Sequence, residues 1–245
     1  MSNPYAKYFK QKRVFGMLHL KGESIPQVLE CLKKEFDEYV KGGIDGVVVE
    51  NYYNGCDEII AALDYLHDQI GSQTLIGVNC LRSESMGLEL ASAYKTDFVQ
   101  LDSVVGHVIP RDDATLTHFF KIWQEKYTGM ILGGVRFKKQ PLLSENPLSE
   151  DLKIAQSRCH AVCVTQAATG EETHLDKIIS FREGLKDFPL LISAGATPTN
   201  VKKSLSYING VIAGSYFKDT YEVSGTVCSE HVRELVRAVK EGEVN

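Results

Sequence analysis

Apolar positions in this chain fall into eight short runs, and stretches with helical spacing fill the gaps between them. Four runs align without gaps: Asp45-Gly-Val-Val-Val-Glu50, Asp97-Phe-Val-Gln-Leu-Asp102, His160-Ala-Val-Cys-Val-Thr165 and Asn209-Gly-Val-Ile-Ala-Gly214. Each opens on a polar residue, passes through apolar or β-branched residues, and stops at a polar or small one. Four further runs, at 14–19, 75–79, 131–136 and 190–195, complete the set. Uninterrupted apolar runs of this length suit parallel strands covered on both faces. In the gaps, apolar residues recur every three to four positions. Val28, Leu29, Leu32, Phe36 and Val40 predict a helix over 25–40, stopped by Gly42 and Gly43. The same spacing predicts helices over 58–70, 85–94, 115–123, 148–157, 175–185, 199–205 and 227–239. Strict strand–helix alternation implies a parallel sheet with right-handed crossovers. Eight such units in 245 residues fit one closed (β/α)8 TIM barrel, an α/β fold that takes about 250. The expected domain is 1–245, with 1–13 as a polar N-terminal extension. No Gly-x-Gly-x-x-Gly or Walker-type sequence points to a nucleotide fold instead.

Composition narrows the partners. An apolar fraction of 43% is enough for a large core. The net charge is −5, and Lys and Arg are spread along the chain, so no basic cluster invites nucleic acid or an anionic membrane. No apolar run reaches the roughly 18 residues that cross a bilayer, and the N-terminus lacks the apolar core of a signal peptide. A cytoplasmic location is expected. The six cysteines are scattered. Cys159 and Cys163 bracket a predicted strand, which would hold them apart, so neither zinc nor a disulfide is expected there.

In barrels of this kind the active site sits at the C-terminal ends of the strands. Those ends carry His19, Glu50-Asn51, Asn79, Asp102, Arg136 with Lys138 beyond it, and Thr165. Glu50 and Asp102 hold equivalent positions two strands apart and can act as general acid and base. Their alternative is a salt bridge to Arg136 or Lys138. His19 can polarise a carbonyl, carry a proton or bind a metal, or be a plain hydrogen-bonded rim histidine. Arg136 and Lys138 can clamp an oxyanion, and Asn79 can orient a substrate. At the opposite ends, Asp45, Asp97 and Asn209 are expected to serve as turn residues. The polar stretch 138–150, with Pro141, Ser144 and Pro147, is either a lid or a surface loop.

The last two predicted strands end differently. Leu190 to Ile192 runs into Ser193, Ala194 and Gly195, then Thr197 as a helix cap and Pro198 at the first helical position. Gly214 and Ser215 repeat the small-residue turn. Small residues let a ligand approach the backbone, and free N–H groups at a helix start favour an anion. Two such turns in tandem match the phosphate grip after strands 7 and 8 of a barrel. The expected ligand is therefore a phosphorylated small molecule held by Ala194, Gly195, Gly214 and Ser215.

Val14-Phe-Gly-Met-Leu-His-Leu20, Gly42-Gly-Ile-Asp-Gly-Val-Val-Val-Glu-Asn51 and Val211-Ile-Ala-Gly-Ser-Tyr-Phe-Lys218 together resemble the BtpA/SgcQ family. Val164-Thr-Gln-Ala-Ala-Thr-Gly170 resembles a variant of its loop after the sixth strand. The resemblance implies a barrel similar to the ribulose-phosphate-binding barrels. It carries His19, Glu50, Asn51, Thr169, Gly170, Gly214, Ser215 and Lys218 over as site residues. Lys138-Lys139-Gln140 and Gln166 depart from the family pattern. One branch of the family is named for photosystem I biogenesis and another sits among sugar-uptake genes. Two functions follow. The first is an isomerase, lyase or hydrolase acting on a sugar phosphate or ribosyl phosphate by acid–base chemistry. The second is a non-enzymatic assembly or regulatory factor. Acid–base chemistry calls for no cofactor, and the sequence leaves a divalent metal and a homo-oligomer open.

Overall fold

The computed structural model describes residues 3–70, 72–105, 112–140, 142, 143 and 145–241. Pro141 and Ser144 of the expected lid lie outside them. Eight parallel strands alternate with eight helices: β1 (Arg13–Leu18), α1 (Ile25–Gly42), β2 (Gly46–Glu50), α2 (Cys56–Leu66), β3 (Leu75–Asn79), α3 (Glu84–Tyr94), β4 (Phe98–Leu101), α4 (Asp113–Lys126), β5 (Met130–Gly134), α5 (Leu148–Gln156), β6 (Ala161–Val164), α6 (Leu175–Leu185), β7 (Leu190–Ile192), α7 (Pro198–Ser204), β8 (Gly210–Ala213) and α8 (Ser229–Glu241). Strand β1 pairs with both β2 and β8, which closes the (β/α)8 TIM barrel. Caps move the helix starts away from the apolar periodicity. Asp112 accepts a hydrogen bond from the Thr115 N–H, so α4 begins at Asp113, two residues before its apolar pattern does.

The gap-free sequence repeat has a physical cause. The polar residue before each even strand accepts a hydrogen bond from a backbone N–H of the preceding odd strand. Asp45 accepts from Val14, Asp97 from Ile76, His160 Nδ1 from Ile131, and Asn209 from Leu190, at 2.8–3.1 Å. These N–H groups lie at the N-terminal ends of the odd strands, so each acceptor satisfies a donor there. His160 must stay neutral to accept, and burial pushes its pKa down to about 4.

Two apolar layers form. One lies between the strands and the helices and includes Val14, Val47, Val49, Ile76, Val99 and Ile131. The other fills the barrel axis with Phe15, Met17, Val48, Phe98, Met130, Leu132, Cys163, Leu191 and Ile212. Gly77 makes room there: a Cβ at that position would stand 2.2 Å from the Phe98 ring.

The N-terminal segment is more than the polar extension its composition suggests. A 3-10 turn at Ala6–Phe9 buries Phe9 against the axial core, with Tyr5 and Tyr8 packed beside it. Asn3 donates to the His160 carbonyl at 2.7 Å, and Arg13 Nε donates to the Tyr8 carbonyl at 2.9 Å. The axial core is apolar down to Phe15 and Phe98, so its lower end needs an apolar cover, and three aromatic rings spaced among polar residues supply it.

Candidate active site

Side chains alternate in and out along a strand, and that alternation carries the axial core upward into a polar floor. Above Met17 comes His19, above Val48 comes Glu50, and above Gly77 comes Asn79. Phe98 is followed by Gln100 and then Asp102, Cys163 by Thr165, and Leu191 by Ser193. The ends of six strands thus turn a dry core into a ring of polar groups.

Asn79 ties the ring together. Its Nδ2 donates to Glu50 Oε1 at 3.2 Å and to Asp102 Oδ1 at 3.0 Å. An amide atom flanked by two carboxylates must be the nitrogen. His19 Nε2 lies 3.7 Å from Glu50 Oε2, and its ring stands 5.0 Å from that of Tyr52. Burial pushes the Glu50 carboxyl up to about 7, and the Asp102 charge adds to this, while Lys138 and the Asn79 hydrogen bond oppose it. Asp102 is raised as well, by desolvation first, although one edge of the residue reaches solvent. His19 is driven down to about 3 by burial and by the charges of Lys218 and Lys138. At neutral pH the His19–Glu50 contact is therefore a neutral imidazole beside a half-protonated carboxyl, not an ion pair.

The barrel mouth is a cleft of two lobes that share Glu50, Tyr52, Lys138 and Thr169. The narrow lobe brings His19 and Gln100 against Gly170, Ala194, Gly195, Gly214 and Ser215. The centre of a water-sized particle can move over about 30 Å³ there. The wide lobe gives about 490 Å³ and adds Cys80, Arg82, Glu84, Asp102, Lys139 and Gln140. The four phosphate-loop residues expected from sequence thus face the same cavity as His19 and Glu50. Thr197 caps α7 by accepting from the Asn200 N–H at 3.3 Å, with Pro198 at the first helical position. Gly195 adopts φ +64, and a Cβ there would meet the Glu171 carbonyl at 2.1 Å, so the turn requires glycine.

Other expected residues stand elsewhere. Arg136 does not reach the cleft. It adopts φ +47, which ends the strand alternation and turns the side chain towards α5. There its Nε donates to Asp151 at 3.1 Å and its terminal nitrogen donates to the Asn146 carbonyl at 2.9 Å. Lys138 takes the inward place. Thr165 is fully buried and its hydroxyl accepts from the Lys138 N–H at 2.6 Å, so it positions that lysine. The Asn51 side chain accepts from the Leu81 N–H at 2.8 Å and holds the loop after β3. Lys218 is buried in an ion pair with Glu35 of α1, from which its charge still acts on His19. Tyr52, Gln100 and Ser193 were not among the strand-end candidates. Counting back two residues from Asp102 would have found Gln100. Leu20, Arg82, Arg136 and Lys139, all non-glycine residues with φ between +47 and +69, follow the ends of β1, β3 and β5. Lys95 and Lys186 adopt the same φ as the C-caps of α3 and α6, so this conformation does not by itself mark the site. Among the described residues no group of three His, Cys, Asp or Glu side chains is placed to hold a metal ion. None of the described helices is long and apolar enough to cross a membrane.

The BtpA family model matches residues 10–241. An uncharacterized protein of Caenorhabditis elegans whose name includes the word mitochondrial is 26% identical, over 92% of this chain and 92% of its own. The photosystem I biogenesis protein BtpA of Synechocystis is 22% identical, over 94% of this chain and 88% of its own. The crystal structure of 3-hexulose-6-phosphate synthase from Salmonella typhimurium superposes with a TM-score of 0.63 at 12% identity, covering 94% of this chain and 99% of its own.

Proposed function

We propose, from the premise that this chain belongs to the BtpA family, that it is an enzyme acting on a phosphorylated small molecule by acid–base catalysis. The carrying observation is that Glu50, His19 and the small-residue turns after β7 and β8 line one cavity. The phosphate rests on backbone N–H groups at Gly195, Gly214 and Ser215, where small side chains let it come close. Glu50, poised near neutrality, is the proton carrier, since a group with a pKa close to ambient pH can both give and take a proton. Neutral His19 beside it orients a hydroxyl of the substrate. Asn79 divides its two N–H donors between Glu50 and Asp102 and so holds Glu50 in place. Lys138 stabilises negative charge that develops as a C–H or O–H proton leaves. The substrate is a sugar phosphate or ribosyl phosphate, and the reaction an isomerisation, cleavage or hydrolysis. The fold likeness to a hexulose-phosphate synthase is consistent with such a ligand, although fold alone does not fix function.

The assembly-factor reading draws on the name of the Synechocystis relative. A raised, buried carboxylate in a cleft weighs against it, because perturbed groups of this kind cluster at catalytic sites. The experiment is a panel of sugar phosphates incubated with the protein in deuterated buffer and followed by NMR. Deuterium entry or product formation with the wild type, abolished in Glu50→Gln, is the expected result. Equal turnover by the wild type and the variant sinks the assignment of Glu50, and no turnover on a broad panel favours the assembly factor.

A further inference from the structure

Three polar atoms in the narrow lobe have no assigned role. Among the described residues, His19 Nδ1, Gln100 Oε1 and Ser193 Oγ are sealed from solvent and find no oxygen or nitrogen to hydrogen-bond with. All three residues are more than nine-tenths buried, and all line the same small space beneath the phosphate turns. Beside Ser193 Oγ stands the Cys163 thiol, a weak acceptor. Buried polar groups are nearly always paired; six side-chain atoms among the described residues are not, and three of those six meet here. Three orphans around one cavity mark a place that a ligand completes.

Their chemistry says which ligand group. The Gln100 oxygen is an acceptor. His19 turns Nε2 towards Glu50, and we assign the N–H of the neutral ring to that nitrogen, which leaves Nδ1 to accept. Ser193 Oγ both gives and accepts. Two acceptors and one hydroxyl call for a group that donates. A phosphate oxygen at neutral pH only accepts and would also meet the Glu50 carboxyl, so phosphate is excluded from this floor. An ammonium donates, but the charges of Lys218 and Lys138 already act on His19 and oppose a third cation. A hydroxyl fits. The narrow lobe as a whole, turns included, has room for about two to three water-sized positions, which suits a slender hydroxylated chain rather than a ring.

We infer that Gln100, His19 and Ser193 form a hydroxyl-reading subsite at the floor of the barrel, so that the substrate is a polyol phosphate whose hydroxylated chain descends past Glu50 while its phosphate stays on the turns above. The placement of the phosphate rests on the function proposed above; the hydroxyl preference rests on the three unpaired atoms. Gln100 is thus a specificity residue. Its side-chain oxygen makes no hydrogen bond to the protein and so is left for a ligand hydroxyl to meet.

Isothermal titration with four ligands separates the two claims: inorganic phosphate, n-pentyl phosphate, ribitol 5-phosphate and ribitol. The proteins are the wild type, Gln100→Leu and Ser193→Ala. The expected result is that ribitol 5-phosphate binds the wild type at least tenfold more tightly than n-pentyl phosphate. Gln100→Leu should erase most of that ratio and leave inorganic phosphate binding unchanged, and Ser193→Ala should reduce the ratio in the same direction. Without ligand, Gln100→Leu should melt close to the wild-type temperature, because Gln100 Oε1 makes no hydrogen bond to the protein. Equal binding of the two five-carbon phosphates by the wild type overturns the subsite and leaves the phosphate turns standing. Binding of ribitol alone, lost in Gln100→Leu, upholds the subsite and overturns the phosphate turns. Absence of all binding overturns both. A Gln100→Leu protein that melts far below the wild type and loses every ligand equally makes Gln100 structural and overturns the inference.

Discussion

Replacing Glu50 by glutamine should make the protein more stable and less active, with the gain appearing only as pH rises. Burial lifts the Glu50 carboxyl from its ordinary 4.5 to about 7. The folded state therefore holds the proton more tightly than the unfolded chain does. The resulting stabilisation is fully present below pH 4.5 and is lost as pH rises to about 7. Above that, the folded protein carries a desolvated carboxylate at a cost of about 3 kcal/mol, from 1.36 kcal/mol for each tenfold change in proton affinity. Glutamine keeps the size and can still accept from Asn79, but carries no charge. At pH 8.5 Glu50→Gln should gain about 3 kcal/mol, which for a chain of this length raises Tm by roughly 6–12 °C. At pH 4 the two proteins should melt together. His19, depressed to about 3, contributes the opposite slope: its stabilisation is present above pH 6.5 and lost as pH falls towards 3. That slope is common to both proteins and cancels in the difference. The assay is urea or thermal unfolding of both proteins at half-unit steps from pH 4 to 9. A constant difference across that range, or a variant less stable at pH 8.5, refutes a raised Glu50 pKa and the proton-carrier role built on it.

Lys138→Met should push the Glu50 carboxyl above 7, since Lys138 is the largest influence holding it down; ¹³C NMR titration of the Glu50 carboxyl checks this, and an unchanged midpoint places the ammonium elsewhere. Gly195→Ala should cost more than about 1 kcal/mol, because alanine is strained at φ +64 and its Cβ meets the Glu171 carbonyl. Calorimetry and phosphate titration should show lower stability and weaker binding together. Lys218→Met should cost about 3–5 kcal/mol by stranding the Glu35 carboxylate, with both partners at most 5% exposed. Adding Glu35→Leu should recover most of that loss in urea unfolding, and failure to recover means the lysine does more than pair with Glu35.

The barrel was legible in the residue order because its logic is local and repeated. Apolar runs of strand length, helical spacing between them and polar residues at fixed offsets recur through the chain, and each run covers both faces of a parallel strand. Even the gap-free repeat holding Asp45, Asp97, His160 and Asn209 encodes one device, a side-chain acceptor for the neighbouring strand's N–H. The strand-end rule put His19, Glu50, Asn79, Asp102 and the turns at Gly195 and Gly214 together at one end of the barrel, where the structure has them. Packing in three dimensions chose among those residues. Backbone φ at Arg136 turned that side chain out to Asp151 and left the inward place to Lys138. Burial separated the protonation of Glu50 from that of His19, and burial is a property of what surrounds a residue, not of its neighbours in the chain. The partners of Asn79 lie 29 and 23 residues away, and Gln100 joins His19 and Ser193 across the barrel axis. Contacts of that range arise only when the sheet closes. The same closure gives the aromatic residues before β1 an apolar end to cover, whereas composition shows only a polar tail.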